Sequence, residues 1–340
     1  FCIGAAWARE LKGSREVKLA VVQEAQELTA YNLAGWVNNQ APTTIVIGAH
    51  YDHLGMGGEG SRFRGEGEAI HNGADDNASG TAGLLELARF LGRTEDARFR
   101  RHNFLFVAFS AEEMGLLGSS YFVENGMDED LPLLYMLNMD MIGRMEESTL
   151  QINGIGTSPA WEKLLASAEC ALNYVTSSSG VGPSDHTSFY YEEVPALHFF
   201  TGTHRDYHTP SDDFEKINFE GIWQTLNLIL ELVDKTADNE AFPFTPTKNE
   251  SQKAPRFSVT LGVLPDYLYS GNGMKIDGVT EGKPAAKAGL QAGDVVTKLG
   301  EVKVSDMQSY MQALGQFKAG DAAVLEYERA GKALRATIQF

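Results

Sequence analysis

Two histidines, two aspartates and a pair of glutamates, spread over five polar clusters, carry the chemistry available to this sequence. The clusters are His50-Tyr51-Asp52, Asn72-Gly73-Ala74-Asp75-Asp76-Asn77, Ser110-Ala111-Glu112-Glu113, Asn138-Met139-Asp140 and Tyr207-His208-Thr209. Imidazole with carboxylate is a donor set that zinc accepts, and two divalent ions roughly 3.5–4 Å apart can share one bridging carboxylate. A water held there loses a proton near neutral pH, and a further carboxylate must accept that proton and pass it on. Adjacent Glu112 and Glu113 can divide the labour, one ligating and one free. Each cluster alone is weak: a strand-end His is more often structural, an Asp pair before a helix is a capping device, and a Glu pair is usually solvated. Their joint occurrence, in order, is what counts.

The elements around them read as α/β. The β-rich runs 44–49 and 103–110 have the continuous apolar character of strands buried on both faces. Further strands are predicted at 133–139, 149–152 and 196–200. Helices are predicted at 79–91 with Ser79 as N-cap, at 114–125, at 159–172 and at 218–235. A short helix at 5–11 and a strand at 17–22 are also expected. This alternation predicts a mostly parallel sheet flanked by helices. Four clusters fall at strand ends or in the loops after them, where sites form in such sheets, and the Asp75-Asp76 loop leads into the first strong helix.

With the clusters in this order, the sequence resembles the M28 family of zinc exopeptidases over roughly residues 29–234. The resemblance implies the zinc exopeptidase fold, two Zn2+ per chain and a role for each matching position. His50 and Asp140 would bind one zinc, Glu113 and His208 the other, and Asp76 would bridge them. Glu112 would be the general base, Asp52 would orient His50, and Tyr207 would help hold the oxyanion. Ser184-Asp185-His186 resembles a recurrent motif near the substrate pocket of that family, which makes Asp185 and His186 pocket candidates. His71 and His204 are candidates for the layer behind the ligands, whereas His53, His102 and His198 read as structural. Asp75 is expected to support the bridging loop, and Gly73 and Gly80 to permit tight backbone there.

The segment 257–340 carries Leu261-Gly262-Val263, Pro284-Ala285-Ala286-Lys287-Ala288-Gly289-Leu290 and Gly293-Asp294-Val295-Val296. It resembles a PDZ domain of the bacterial protease type, a small β-rich module. The resemblance implies that Leu261, Gly262 and Val263 form a loop for a peptide carboxylate, beside an edge that takes the peptide as a strand. The domain reading is therefore 1–240 catalytic, 241–256 a Pro-bearing linker, and 257–340 PDZ-like.

Composition sets further limits. The chain has 340 residues and a net charge of -18, so nucleic acid and anionic membrane surfaces are poor partners. The 84 residues from 257 onward are neutral, so the surplus acid lies wholly before them. No apolar run approaches the ~18 residues of a membrane span. Two cysteines, Cys2 and Cys170, make neither a disulfide framework nor a thiolate metal site. A processed or truncated start and a periplasmic or secreted location are expected. Peptide substrates, and a peptide ligand for the PDZ-like part, are the expected partners. The leading expectation is removal of N-terminal residues from peptides. A carboxypeptidase or dipeptidase is the rival, with Arg62, Arg64 and Arg205 as possible carboxylate grips. A one-zinc acyl-transfer cyclase and a non-catalytic peptide-binding protein are more distant alternatives.

Overall fold

A computed structural model describes residues 28–58, 60–63, 65, 67–127, 131–239, 241–247, 259–266, 269, 271–280, 282–305 and 307–340. The readings at 5–11 and 17–22, and Cys2, lie outside them. Four parallel strands form the centre of the first sheet: β2 (Thr44–His50), β3 (Asn103–Phe109), β4 (Leu133–Met139) and β7 (Ala196–Phe200). β1 (Leu33–Val37) pairs antiparallel with β3 at one edge. β5 (Thr149–Asn153) pairs antiparallel with β7 and parallel with β6 (Asn173–Ser177) at the other. The order is β1-β3-β2-β4-β7-β5-β6.

β2 shows why its run is unbroken. Ile45 and Ile47 pack on one face with Leu84, Leu87, Leu228 and Leu232. Val46 faces the other way, into Leu105, Phe109, Met136 and Phe189. Each such fully buried aliphatic side chain contributes about 1.5–3 kcal/mol. The helices Gly80–Leu91 and Phe219–Lys235 cover the first face. Asn218 caps the second, its Oδ1 accepting from the Gly221 N–H at 2.9 Å.

Four sequence expectations are refined. Ser79 stands at the N-cap position of helix Gly80–Leu91, but its hydroxyl donates to the Asp75 carbonyl and carboxylate, at 2.8 and 3.0 Å, instead of capping. The helices expected at 114–125 and 159–172 shrink to Leu117–Tyr121, followed by a looser turn Phe122–Gly126, and to Trp161–Ala166. The start of the segment read as linker is packed: Phe242 is buried, its ring 4.5 Å from Trp161 and 5.1 Å from Tyr135.

The C-terminal sheet is wholly antiparallel. It contains β8 (Val263–Pro265), β9 (Met274–Val279), β10 (Val295–Leu299), β11 (Val302–Lys303), β12 (Ala322–Arg329) and β13 (Lys332–Gln339), in the order β13-β12-β10-β9-β8 with β11 on β10. It has its own core, including Leu261, Ile276, Val296, Leu299, Leu325 and Ile338. Buried Asp294 is held by a two-pronged bond from Arg329, at 2.6 and 2.7 Å. No helix among the described residues is long and apolar enough to cross a membrane.

Candidate metal centre

The parallel strands deliver the polar clusters to one edge of the sheet. His50 is the last residue of β2, Glu112 and Glu113 follow β3, and Asp140 follows β4 directly. His208 lies in the loop after β7, and Asp76 in the winding segment Ala74–Ser79 that leads into helix Gly80–Leu91. Three of these loops turn through the left-handed region at non-glycine residues: Ala111 (φ 53°), Met141 (φ 55°) and His208 itself (φ 56°). Such conformations cost about 1–3 kcal/mol each and collect at functional sites.

Asp76 stands in the middle. Its Oδ1 is 3.3 Å from His50 Nε2, and its Oδ2 is 3.1 Å from His208 Nε2. Asp140 Oδ1 lies 3.3 Å from the same His50 nitrogen, and Glu113 Oε2 lies 3.1 Å from the same His208 nitrogen. All five expected ligands therefore converge, with one carboxylate divided between the two histidines. Two donor groups each lie within 4.8 Å of one another: His50, Glu112 and Asp140 in one, and His53, Asp76 and Glu113 in the other. His53 was read as structural; it joins the cluster, its Nδ1 2.7 Å from Glu113 Oε1. His53 directly follows the His50-Tyr51-Asp52 cluster, but a single added His carries no periodic signal, which is why the sequence did not mark it.

Electrostatics follow from the crowding. Burial opposes a charge on His208, but the Asp76 and Glu113 carboxylates beside it prevail and raise it to about 10. Burial raises Glu113 too, yet His208 and His53 bring it down to about 2. Burial pushes Glu112 well above the usual carboxylate range; His50 opposes this, while Asp140, Asp185 and Glu113 add to it. Several buried atoms have no directed hydrogen bond although they sit in contact: His53 Nδ1, His208 Nε2 and Glu113 Oε1. Unsatisfied buried atoms call for a shared partner. Imidazole and carboxylate without thiolate fit a divalent cation such as zinc in that place.

Surrounding residues fix the loops. His50 Nδ1 donates to the Asp52 backbone carbonyl at 3.1 Å, while the Asp52 carboxylate stands 3.7 Å away. That carboxylate instead accepts the backbone N–H of Glu112 at 3.1 Å and of Glu113 at 3.3 Å. Asp52 thus orients His50 mainly through its carbonyl and holds the glutamate loop with its side chain. Asp212, which the sequence did not single out, accepts the N–H groups of Asp75 and Asp76 on Oδ2, at 2.9 and 3.1 Å. Asp75 accepts from the Gly143 N–H at 2.6 Å and lies 3.1 Å from His204 Nε2. His71 instead bonds Ser61 Oγ at 2.7 Å and faces the Ala69 carbonyl at 2.9 Å. A Cβ on Gly73 (φ +59°) would come within 2.3 Å of the Asp76 carbonyl, and one on Gly80 within 2.4 Å of Asn77 Oδ1.

This geometry agrees with the comparison of the chain with known proteins. Residues 32–233 match peptidase family M28, and residues 246–340 match the PDZ domain. The chain belongs to peptidase family M28. Aminopeptidase YwaD of Bacillus subtilis (strain 168) is 31% identical over 229 residues, 64% of this chain and 46% of YwaD. The Legionella pneumophila LapA aminopeptidase structure matches with TM-score 0.51 and 24% identity, over 61% of this chain and 54% of LapA. A Zn-dependent exopeptidase from Parabacteroides distasonis matches with TM-score 0.50 and 18% identity, over 59% of this chain and 76% of the other. The two structures establish the fold alone. The chain spans about half the length of the curated relatives it matches.

In this M28 chain a pocket opens over the cluster. Asp76, Glu112, Glu113, Asp140, Tyr207 and His208 form its polar floor, and Met141, Pro183, His198 and Phe200 are among its walls. Tyr207 stacks on His208 at 3.8 Å between ring centroids. Of the Ser184-Asp185-His186 motif and its surroundings, Pro183 faces the pocket. Asp185 and His186 are fully buried behind it, and His186 stacks on His198 at 4.6 Å. The short helix His186–Tyr191 begins there, with both side chains in the interior.

Asp185 gives a pH test. Burial holds its carboxyl up to about 7, assisted by Asp140 and Asp52 against His50 and Ser119. Between an ordinary carboxylate value and about 7, the folded chain keeps a proton that the unfolded chain has lost, so stability falls as pH rises through that window. In chelator, wild type should lose more stability from pH 5 to pH 8 than Asp185→Asn does. The difference should be on the order of 2–4 kcal/mol, read from urea unfolding midpoints. Parallel losses in the two proteins would show that Asp185 does not titrate in this way.

Proposed function

We propose that this chain is a dinuclear zinc aminopeptidase that removes N-terminal residues from peptides. The observation that carries the reading is the divided Asp76 carboxylate, with one oxygen toward His50 and the other toward His208. His50, Asp140 and Asp76 would hold one zinc, and Glu113, His208 and Asp76 the other. When bound, the cations supply Lewis acidity to the scissile carbonyl and to a water. Glu112, at the pocket floor, takes the proton from the attacking water and delivers it to the leaving amine. Tyr207 faces the same pocket and offers its hydroxyl to the oxyanion.

The pocket also supports a free amine over a free carboxylate as the recognised terminus. Among its described lining residues are four carboxylates and no Lys or Arg. Arg205, one of the candidate grips, is a surface residue with its side chain 89% exposed. For the C-terminal part, β8 lies at the end of its sheet, suited to pairing with an added peptide strand. Leu261 and Gly262 lead into it and Val263 is its first residue, with Leu261 buried in the core and Gly262 at φ +70°. The Gly262 N–H already meets Thr260 Oγ1 at 3.0 Å, so a peptide carboxylate would displace that contact.

The deciding assay uses chromogenic aminoacyl substrates with a free and with a blocked amine, alongside peptides with free and amidated C-termini. Turnover should require the free amine, stop with chelator, and accompany two zinc ions per chain by elemental analysis. Equal turnover of amine-blocked peptides that need a free C-terminus would transfer the assignment to a carboxypeptidase.

A further inference from the structure

We infer that His53 is a direct ligand, through Nδ1, of the cation held between Asp76, Glu113 and His208. The inference rests on the two-zinc reading and goes beyond it by adding a third histidine to the site. Three observations converge. His53 is nearly buried, with a side chain 9% exposed, and its Nδ1 lies 2.7 Å from Glu113 Oε1 and 3.9 Å from Asp76 Oδ2. Zinc holds nitrogen and oxygen donors at roughly 2.0–2.2 Å, so ligands of one ion stand roughly 2.7–4 Å apart, depending on the angle between them. The separations of His53, and the 3.1 Å separations of His208 from Asp76 and Glu113, all lie in that range.

The second observation is directional. A 2.7 Å contact between an imidazole and a carboxylate would ordinarily be a strong hydrogen bond, with the N–H aimed at the oxygen. Here His53 Nδ1 and Glu113 Oε1 make no such bond, and His208 Nε2 shares the deficiency at its own carboxylate contacts. These buried atoms therefore lack a partner, and a cation held among them would supply one. The third observation is packing. The His53 ring meets the His208 ring edge-to-face at 5.7 Å, and a Cβ on Gly73 would come within 2.7 Å of it. The ring is thus held between the bridging loop and the second histidine, and the absence of a side chain at Gly73 leaves room for it.

The test compares wild type, His53→Ala and His53→Asn by competitive zinc titration against a chelator of known affinity, and by the visible spectrum of cobalt-loaded protein. Loss of a surrounding hydrogen-bond partner typically costs 10–100-fold in metal affinity. A lost ligand should reach or exceed the upper end of that range, about 100-fold, for one cation only. Asn places an N–H donor close to where Nδ1 stands. It should rescue a hydrogen-bonding role and fail to rescue ligation. The expected result is that both variants keep the first cation, weaken the second alike, and change the cobalt bands of the second. Wild-type affinity in His53→Ala, or recovery in His53→Asn with unchanged cobalt bands, overturns the inference. Melting of the chelated proteins checks folding, and the two variants differ enough in size that both failing for packing alone would show there. A wild type that takes up a single cation sinks the two-zinc reading itself, before either variant is compared.

Discussion

Glu112→Gln should lower turnover by about 10²–10⁴-fold while leaving the zinc content unchanged. Gln keeps the volume and one carbonyl oxygen of Glu but cannot carry the proton from water to the leaving amine. Glu112 is the glutamate whose surroundings raise its proton affinity: burial dominates, with Asp140, Asp185 and Glu113 adding to it and His50 opposing. Glu113, the adjacent residue, is driven the other way by His208 and His53 against burial. Two neighbouring carboxyls with opposite shifts suit a base and a ligand respectively. Only the deprotonated base works, so activity should rise with pH through the Glu112 value. The measurement is kcat against pH for both proteins, with metal analysis of each. Near-normal turnover in Glu112→Gln would remove Glu112 from the base role, and loss of zinc in that variant would make it a ligand instead.

What could be read from residue types alone was set by burial. The central strands were legible because both faces are covered, so β2 is apolar throughout. β1 and β6 escaped because both are exposed edge strands: β6 has mixed side chains, and the apolar run of β1 is only five residues long and carries Gly35. Helix Phe219–Lys235 was legible from its apolar stripe. The helix expected at 114–125 was overcalled because its apolar spacing continues through a turn, with Leu116 at φ 60° breaking the regular backbone.

The site was legible where a motif carries several donors together, and not where one residue acts alone. His50, Asp76, Glu113, Asp140 and His208 all stand in multi-donor or strand-end clusters. His53 and Asp212 act through three-dimensional contacts: His53 with Glu113, and Asp212 with the amides of Asp75 and Asp76. Adjacency to the His50-Tyr51-Asp52 cluster does not by itself give His53 a role, and no donor cluster contains Asp212. Asp52 is the intermediate case. Its importance was readable, but its principal contact was not, because a carboxylate two residues after a histidine can reach either the ring or the next loop. Here the amides of Glu112 and Glu113 take it.

Removing the cations should lower the melting temperature, and by more at high pH than at low pH. A ligand at 100–1,000 times its dissociation constant stabilises the native state by about 2.7–4.1 kcal/mol. For a unit of this size each kcal/mol shifts melting by about 2–4 °C, so chelation should cost on the order of 5–15 °C. The pH dependence comes from what replaces the cations. In the cation-free site a proton on His208 stands between Asp76 and Glu113, which is why that imidazole is raised to about 10 despite burial. This ion pair contributes fully below the unfolded histidine value and is lost as pH rises through about 10. Glu113, lowered to about 2 against the effect of burial, contributes above its unfolded value and is lost as pH falls through about 2, so it is constant over the range compared. A cation must displace the His208 proton, so uptake releases protons and strengthens with pH. Between pH 6 and pH 9 the cation-free protein weakens while the loaded protein gains affinity, and the gap in melting temperature widens. Calorimetric scans with and without chelator at the two pH values measure it. An equal gap at both would mean that protons and cations do not compete for His208, and no gap at either would mean that these converging side chains hold no cation.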